Sequence, residues 1–490
     1  SYFYRRAEKA ALQISLLSRV AVLVAGAICI GLCLFGIRGR MGYNPIKVSQ
    51  AYYCEDPFLN QLGVNPVFNL LTSTLDDNRK ENRTLHLMSE EDALSKVQKY
   101  LHRQGIDRLS PIARKVEREG TPNRRNVVLV FMESMSANLM GTFGSDKKLT
   151  PYLDSLYQQS LSFSHFYSSG IHTNHGIYST LYSFPAIMKR NAMKGSVIPV
   201  YSGLHTVLQE NGYCNLFFMT HESQYDNMNA FLRTNGFDEI YAQENYPSEK
   251  VVNSFGVQDD FMYQYALPIL NERAGTGNPF FSVLLSISNH PPYVIPPYFH
   301  PHSDVLEEQI VEYADWSIRQ FMQAAEKQPW FDNTIFVFLG DHGKMVGTPE
   351  CEMPQSYNHI PLMIYGKDIK PGVYDGFGGQ VDVSPTLLGL LNISYLQNNF
   401  GVNLLEEERP CMFFTADNLI GARDSVNMFI YSPDSQQEFK YKLEEGKLRA
   451  ATGTDEEAFR NLKDYCFSML QSTESLVKEH KTLDKVSVKK

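Results

Sequence analysis

Phe336-Val337-Phe338-Leu339-Gly340-Asp341-His342-Gly343 decides how this chain is read. With Thr334 and Ile335 it makes a run that suits a strand buried on both faces, and Gly340 breaks it. An Asp and a His then stand side by side at the strand's carboxyl end, the edge of an open α/β sheet where ligands bind. A carboxylate beside an imidazole is half of a metal-ligand set. A simple turn is the plain alternative for the same pair.

Working outward, other apolar runs read as buried parallel strands: Val127–Met132, Cys214–Met219, Phe280–Ile287 and Pro361–Tyr365. Helix-like segments with recognisable ends lie between them. Thr150-Pro151 starts one running to Ser160, Ser202 starts one that Gly212 stops, and Asp226 starts one that Gly236 stops. Glu308–Lys327 reads as a longer amphipathic helix. The alternation predicts an α/β fold, a mostly parallel central sheet with helices on both faces. After residue 400 the texture changes. Met412–Thr415, Val426–Tyr431, Glu438–Leu443 and Lys447–Ala451 read as antiparallel strands with a turn at Glu445-Gly446, and a helix over Glu456–Gln471 and a Lys-rich tail follow.

The chain has 490 residues, 43% of them hydrophobic, enough for a large core. A net charge of -9 without a long basic tract argues against a nucleic-acid partner. The seven cysteines show no CxxC and no regular spacing, which disfavours a disulfide scaffold or a thiolate zinc site. Cys29 and Cys33 read as small buried apolar residues.

Val20 to Ile37 carries no charge, and as a helix it spans roughly 27 Å, close to a bilayer core. Arg19 precedes it and Arg38 and Arg40 follow it. A signal peptide is the rival reading, but Arg38-Gly39-Arg40 makes a poor cleavage site. The chain begins at Ser1, so upstream residues are expected. The organisation read here is an anchor over 14–40, a connector over 41–122, a catalytic domain over 123–405, and an α+β subdomain with a tail over 406–490.

Two further features belong with Asp341-His342. The strand Val127–Met132 runs into Glu133, a carboxylate at the same sheet edge, although a solvated strand end or helix-cap role is equally open. In Gly170-Ile171-His172-Thr173-Asn174-His175-Gly176, Thr173 falls at a helix start, where backbone N–H groups favour an alkoxide or a phosphate. A threonine hydroxyl needs a metal or base to become a nucleophile. Simple helix capping is the alternative.

These segments together resemble the alkaline phosphatase/sulfatase superfamily, and within it the lipoteichoic acid synthase-like phosphoglycerol transferases. Tyr225-Asp226-Asn227, Ser288-Asn289-His290-Pro291-Pro292, Asn358-His359-Ile360-Pro361 and Asp382-Val383-Ser384-Pro385-Thr386 add matches in order, over residues 126–405. The resemblance implies an alkaline phosphatase-like fold. It also implies one divalent metal, manganese foremost with magnesium or zinc as alternatives, held by Glu133, Thr173, Asp341 and His342. Thr173 would be the nucleophile, and His290 would face the phosphate or leaving oxygen. His221 and Asp226 would touch the substrate head group.

The implied activity moves glycerol phosphate from a phosphatidylglycerol-like lipid to a glycan or glycolipid, at a membrane and on its extracytoplasmic side. A phosphoethanolamine transferase, a phosphodiesterase and a sulfatase-like hydrolase are the alternatives. Thr173 stands where sulfatases carry a Cys or Ser that matures to formylglycine, which disfavours the last. His172 and His175 flank the threonine where relatives often carry an Arg, so titratable imidazoles would replace a fixed cation. His359 is a further ligand, a group behind the ligands, or only a loop residue.

Overall fold

The computed structural model describes residues 15–484 except 42–44, 55–56, 80–81, 83, 196–197, 445 and 452–455. Residue 14 of the expected anchor and Glu445 of the expected turn therefore lie outside the described residues.

The central sheet has eight strands: β1 (Asn126–Met132), β2 (Leu161–Tyr167), β3 (Cys214–Met219), β4 (Glu239–Tyr241), β5 (Phe280–Leu285), β6 (Thr334–Gly340), β7 (Leu362–Tyr365) and β8 (Gly372–Gly379). Their order is β8-β2-β7-β6-β1-β5-β3-β4. Every strand runs the same way except β7, which is antiparallel to both neighbours. The expectation of a parallel strand at Pro361–Tyr365 is thus corrected. The hairpin-like link from β6 keeps the chain on one sheet edge and needs no crossover helix.

Period-2 geometry sends the residues of β1 into two cores. Val127, Leu129 and Phe131 join one apolar cluster, and Val128, Val130 and Met132 join the other. Helices α5 (Pro151–Gln158), α9 (Asp259–Gly275) and α10 (Leu306–Ala325) cover the second face. Helices α6 (Thr173–Tyr182), α7 (Leu204–Glu210), α8 (Met228–Thr234) and α11 (Val383–Leu390) cover the first. Both faces of β1 are dry, so Phe131→Ala would cost about 3–5 kcal/mol.

The C-terminal region is an antiparallel sheet of β9 (Met412–Thr415), β10 (Ile420–Arg423), β11 (Asn427–Ser432), β12 (Gln437–Glu444) and β13 (Lys447–Ala450) in sequential order. Helix α12 (Glu456–Lys478) extends a turn and more beyond the expected end at Gln471 and packs on this sheet. Upstream, α1 (Leu16–Arg38) is an N-terminal apolar helix of membrane-spanning length, and none of its described residues is buried. Cys29 and Cys33 therefore lie on its exposed surface and not in a core, which corrects that reading.

Residues after α1 form α2 (Pro57–Leu62), α3 (Pro66–Asp77) and α4 (Glu90–Tyr100). Helix α4 packs on α12. Arg114–Val116 pairs antiparallel with Tyr395–Gln397, so this stretch is tied into the body at both ends of its length.

Candidate metal and nucleophile site

Parallel strands deliver their C-terminal residues to one edge, and register decides which of those residues meet. Met132 lies opposite Gly340 in the β1–β6 ladder, so Glu133 and Asp341 emerge side by side. Glu133, Asp341 and His342 bring one ligand atom each within 4.8 Å of one another. His342 Nε2 lies 3.8 Å from Glu133 Oε1 and 3.6 Å from Asp341 Oδ2. Thr173, the first residue of α6, places Oγ1 3.4 Å from Glu133 Oε2. Its hydroxyl points at the carboxylate and caps nothing; His172 occupies the cap position.

Helix α6 reaches this position because Gly176 has no side chain. A Cβ there would stand 2.2 Å from the Asp341 carbonyl oxygen. The ligand loop and the helix bearing Thr173 therefore touch backbone to backbone.

The pocket is short of positive charge. Glu133 and Asp341 are buried, and Asp341 Oδ1 accepts from Ser134 N and His342 N, both at 2.8 Å. Its other oxygen, Oδ2, is buried and accepts no hydrogen bond among the described residues. Burial and then the Asp341 charge push the Glu133 carboxyl well above its usual range, against a 2.7 Å bond from Ser134 Oγ. His342 Nδ1 sits 2.8 Å from the Gly343 carbonyl. That bond sets Nδ1 as the N–H, so Nε2 turns its lone pair toward two carboxylates. Three lone-pair donors facing one another with an orphaned buried oxygen suit a divalent cation, and the residues fit the metal that the fold implies.

Several bracing groups escaped sequence reasoning. Gln380 Nε2 donates to the Asp341 carbonyl at 2.7 Å. Asn289 Nδ2 donates to the Glu133 carbonyl at 3.1 Å, and Lys344 Nζ donates to Asn289 Oδ1 at 2.6 Å. Burial lowers the Lys344 ammonium to about 8, with Glu133 acting in the other direction. Lys344 stood directly behind Asp-His-Gly and Asn289 within the Ser-Asn-His-Pro-Pro match, while Gln380 carried no signal.

The remaining candidates form a wall beside the ligand cluster. His290 Nδ1 lies 2.6 Å from the Pro291 carbonyl, and its ring packs 4.2 Å from that of Phe255. Burial lowers its pKa, the Pro291 carbonyl opposes that, and His342 lowers it further. His221 is buried, and burial holds it down at about 4. Its Nδ1 meets the Glu222 carbonyl at 3.0 Å, and its Nε2 has no hydrogen-bond partner among the described residues. Asp226 does not join the ligand cluster. It accepts from Asn174 Nδ2 at 3.0 Å and Lys194 Nζ at 3.2 Å. Burial pushes its carboxyl up, but Lys194 and Asn174 outweigh this and leave it below the ordinary value. Asp226, Asn174, His172 and Lys194 line a cavity of about 550 Å³ beside the Thr173 helix.

The flanking imidazoles are both held by partners. His172 Nε2 pairs with Asp417 of the C-terminal sheet at 2.5 Å. His175 is buried, bonds the Arg190 carbonyl at 3.1 Å, and burial followed by His172 lowers it to about 3, so it stays neutral. His359 lies away from the ligands: its Nε2 bonds the Ser164 carbonyl at 2.9 Å and its ring stacks on Tyr167. Of the roles open to it, the structural one holds.

The sulfatase family matches residues 125–393. Among curated proteins, the chain is 25% identical over 362 residues to the lipoteichoic acid synthase-like protein YvgJ of Bacillus subtilis (strain 168), covering 67% of this chain and 56% of that one. It is 23% identical over 400 residues to lipoteichoic acid synthase of Staphylococcus aureus (strain USA300), covering 72% and 58%. The chain thus spans a little over half the length of these relatives. Among solved structures, an alkaline phosphatase superfamily protein from Vibrio parahaemolyticus superposes with a TM-score of 0.72 at 24% identity, over 82% of this chain and 99% of that one. The lipoteichoic acid synthase LtaP from Listeria monocytogenes gives 0.64 at 21%, over 79% and 98%. Because the match begins just ahead of the strand that delivers Glu133 and runs past Asp341-His342 to Ile393, this chain belongs to the sulfatase family, built on an alkaline phosphatase-like α/β fold.

Proposed function

We propose that this chain is a membrane-anchored phosphoglycerol transferase whose catalytic domain stands outside the cytoplasm. The observation that carries the reading is Thr173 Oγ1 at 3.4 Å from Glu133 in a pocket with uncompensated lone pairs. A hydroxyl in that setting is a nucleophile in waiting. The coarser statement, a transferase or hydrolase of the sulfatase family, is supported by the family match and by the lipoteichoic acid synthase-like relatives. Glycerol phosphate as the transferred group extends those relatives' names to this chain, and α1 supports a lipid substrate held in the bilayer.

Glu133, Asp341 and His342 would hold the divalent cation together with Thr173 Oγ1; manganese is the proposed ion. Such an ion lowers the pKa of a bound hydroxyl and neutralises charge on a transferring phosphoryl group. The chain's own groups do the rest. Thr173 Oγ attacks phosphorus of a phosphatidylglycerol-like diester, forming an Oγ–P bond as the P–O bond to diacylglycerol breaks. The threonine proton passes to solvent water, and protonated His290 supplies one from Nε2 to the departing oxygen. In the second step a glycan or glycolipid hydroxyl attacks the glycerophospho-threonine. His290 takes the hydroxyl proton and keeps it for the next cycle, and the Thr173 oxygen leaves and regains a proton from solvent water. His221 Nε2 and the Asp226–Lys194 pair would contact the head group.

Mass spectrometry of chain quenched during turnover of phosphatidylglycerol tests this. A glycerophosphate adduct on Thr173 is the expected result. An ethanolamine phosphate adduct, or an adduct on another residue, would replace the proposal. Glycerol phosphate released to water and never to an added glycolipid would make the protein a phosphodiesterase.

A further inference from the structure

Helix α3 is amphipathic the wrong way round for a helix at a protein–water surface. Surface helices turn apolar residues inward and polar residues outward. In α3, Val67, Leu70, Leu71 and Leu75 point outward, between 60% and 67% exposed. Their spacing makes one stripe. Phe68, Asn69, Thr72 and Ser73 instead face a cavity of about 370 Å³ between the helix and the body, and Leu75 reaches its rim. Helix α2, just upstream, exposes Leu59 and Leu62 in the same manner.

Two observations identify what covers this stripe. One is continuity with α1. The segment leaving α1 is pinned to the substrate wall: Arg40 pairs with Glu222, Lys47 N donates to Gln224 Oε1 at 3.1 Å, and Asn229 Nδ2 donates to the Tyr52 carbonyl at 2.9 Å. This fixes the wall, α2 and α3 close to the level at which α1 ends. The other is charge. The cavity under α3 and the one beside the Thr173 helix share Arg79 and Lys194 in their linings, and Lys47 lines the first. An apolar stripe outside, and cations set among apolar and polar side chains inside, match the two ends of an anionic phospholipid.

We propose that α2 and α3 lie in the surface of the bilayer, with Leu70 and Leu71 among the acyl chains, and form the outer wall of a cationic groove that conducts a phospholipid head group to Thr173. This rests on the reading of α1 as a membrane span and deepens the proposed lipid chemistry.

The test uses the full chain reconstituted in vesicles of phosphatidylglycerol and phosphatidylcholine, some of them brominated high on the acyl chain. The side chain introduced by Leu71→Trp is expected to be quenched at least threefold more than Trp316 and Trp330 of the unmodified chain. The double variant Leu70→Asp/Leu71→Asp is expected to lose at least tenfold in vesicle phosphatidylglycerol turnover. Its hydrolysis of a soluble aryl phosphodiester and its melting temperature should match the parent. An unquenched tryptophan, which would point to a second copy or a protein partner on the stripe, overturns the proposal. So does vesicle turnover that the aspartates leave unchanged. If the parent turns over no lipid while Leu71→Trp is quenched, the transferase reading fails and the membrane placement stands.

Discussion

Two fully buried acidic sites lie in the same domain and are built in opposite ways. Asp382 is matched atom for atom: Arg409 Nε reaches Oδ2 at 2.8 Å and Nη2 reaches Oδ1 at 2.6 Å, while Gly379 N and Val402 N donate as well. Arg409 also donates to Tyr465 Oη at 2.8 Å, so both partners of the pair are spoken for. Among the described residues Glu133 and Asp341 have no such counter-ion; Lys344 bonds Asn289 and neither carboxylate. A buried charge with an internal partner is architecture. Buried charges that share one space and leave an oxygen orphaned are a receptor for a cation from outside.

The comparison is best broken at its strong end. Arg409→Leu strands the Asp382 carboxylate, and about 3–5 kcal/mol of stability should vanish in denaturant unfolding, because the remaining charge is uncompensated. A loss under 1 kcal/mol would mean that Asp382 is not held charged by its partner. Asp341→Asn should do the reverse in metal-free protein. The amide oxygen keeps both backbone donors, the repulsion from Glu133 goes, and apo stability rises on the order of 1 kcal/mol. Manganese is expected to raise the melting temperature of the parent, and the same variant should lose that rise. A full metal response in Asp341→Asn would place the ion elsewhere.

His359 shows a third solution, in which a buried group is kept neutral. Burial lowers its pKa to about 4. The unfolded chain, at an ordinary value near 6.5, binds the extra proton between these limits. Stability from this ring is therefore complete above about pH 6.5 and declines as pH falls toward 4. Comparing the parent with His359→Asn cancels the other titrating groups; the parent should lose about 1.4 kcal/mol more between pH 7.5 and 5.5. Equal losses would show that His359 is charged or hydrated in the fold.

The smallest effect is expected at Asp226, a carboxylate whose lysine partner remains partly exposed. Lys194→Ala should raise KM for the lipid several-fold and leave kcat nearly unchanged, since a screened pair adds under about 1 kcal/mol. A kcat loss equal to that of a Thr173 variant would move Lys194 into the chemistry.

These contrasts explain what was legible in advance. Strands buried on both faces announce themselves as apolar runs, and a polar residue ending such a run must lie at a sheet edge. That logic reached Glu133 and Asp341-His342. It missed β2, whose Ser162, Ser164 and His165 interrupt the pattern, and the glycine-rich β8 at the edge of the sheet. It also gave β7 the wrong direction, because an apolar run carries no sign. Gln380, Asn289 and Asp417 serve the site through polar contacts that reach across the fold, and such contacts leave no periodic trace. His359 and Asp382 sat in motifs beside the ligands, yet local sequence does not separate a supporting group from a reacting one.

The reversed strand β7 has one more consequence. Since β6 ends and β7 begins at the same edge, the whole of 341–361 stays above the ligand pocket. Its two ends are anchored by buried residues, Asp341 at one and Met353, Pro354, Ser356 and Asn358 at the other, while Gly347–Glu350 is exposed. Added residues at that exposed tip would reshape the rim of the pocket without entering either core. The rim can thus change by insertion while the Glu133 and Asp341 carboxylates at the sheet edge stay fixed.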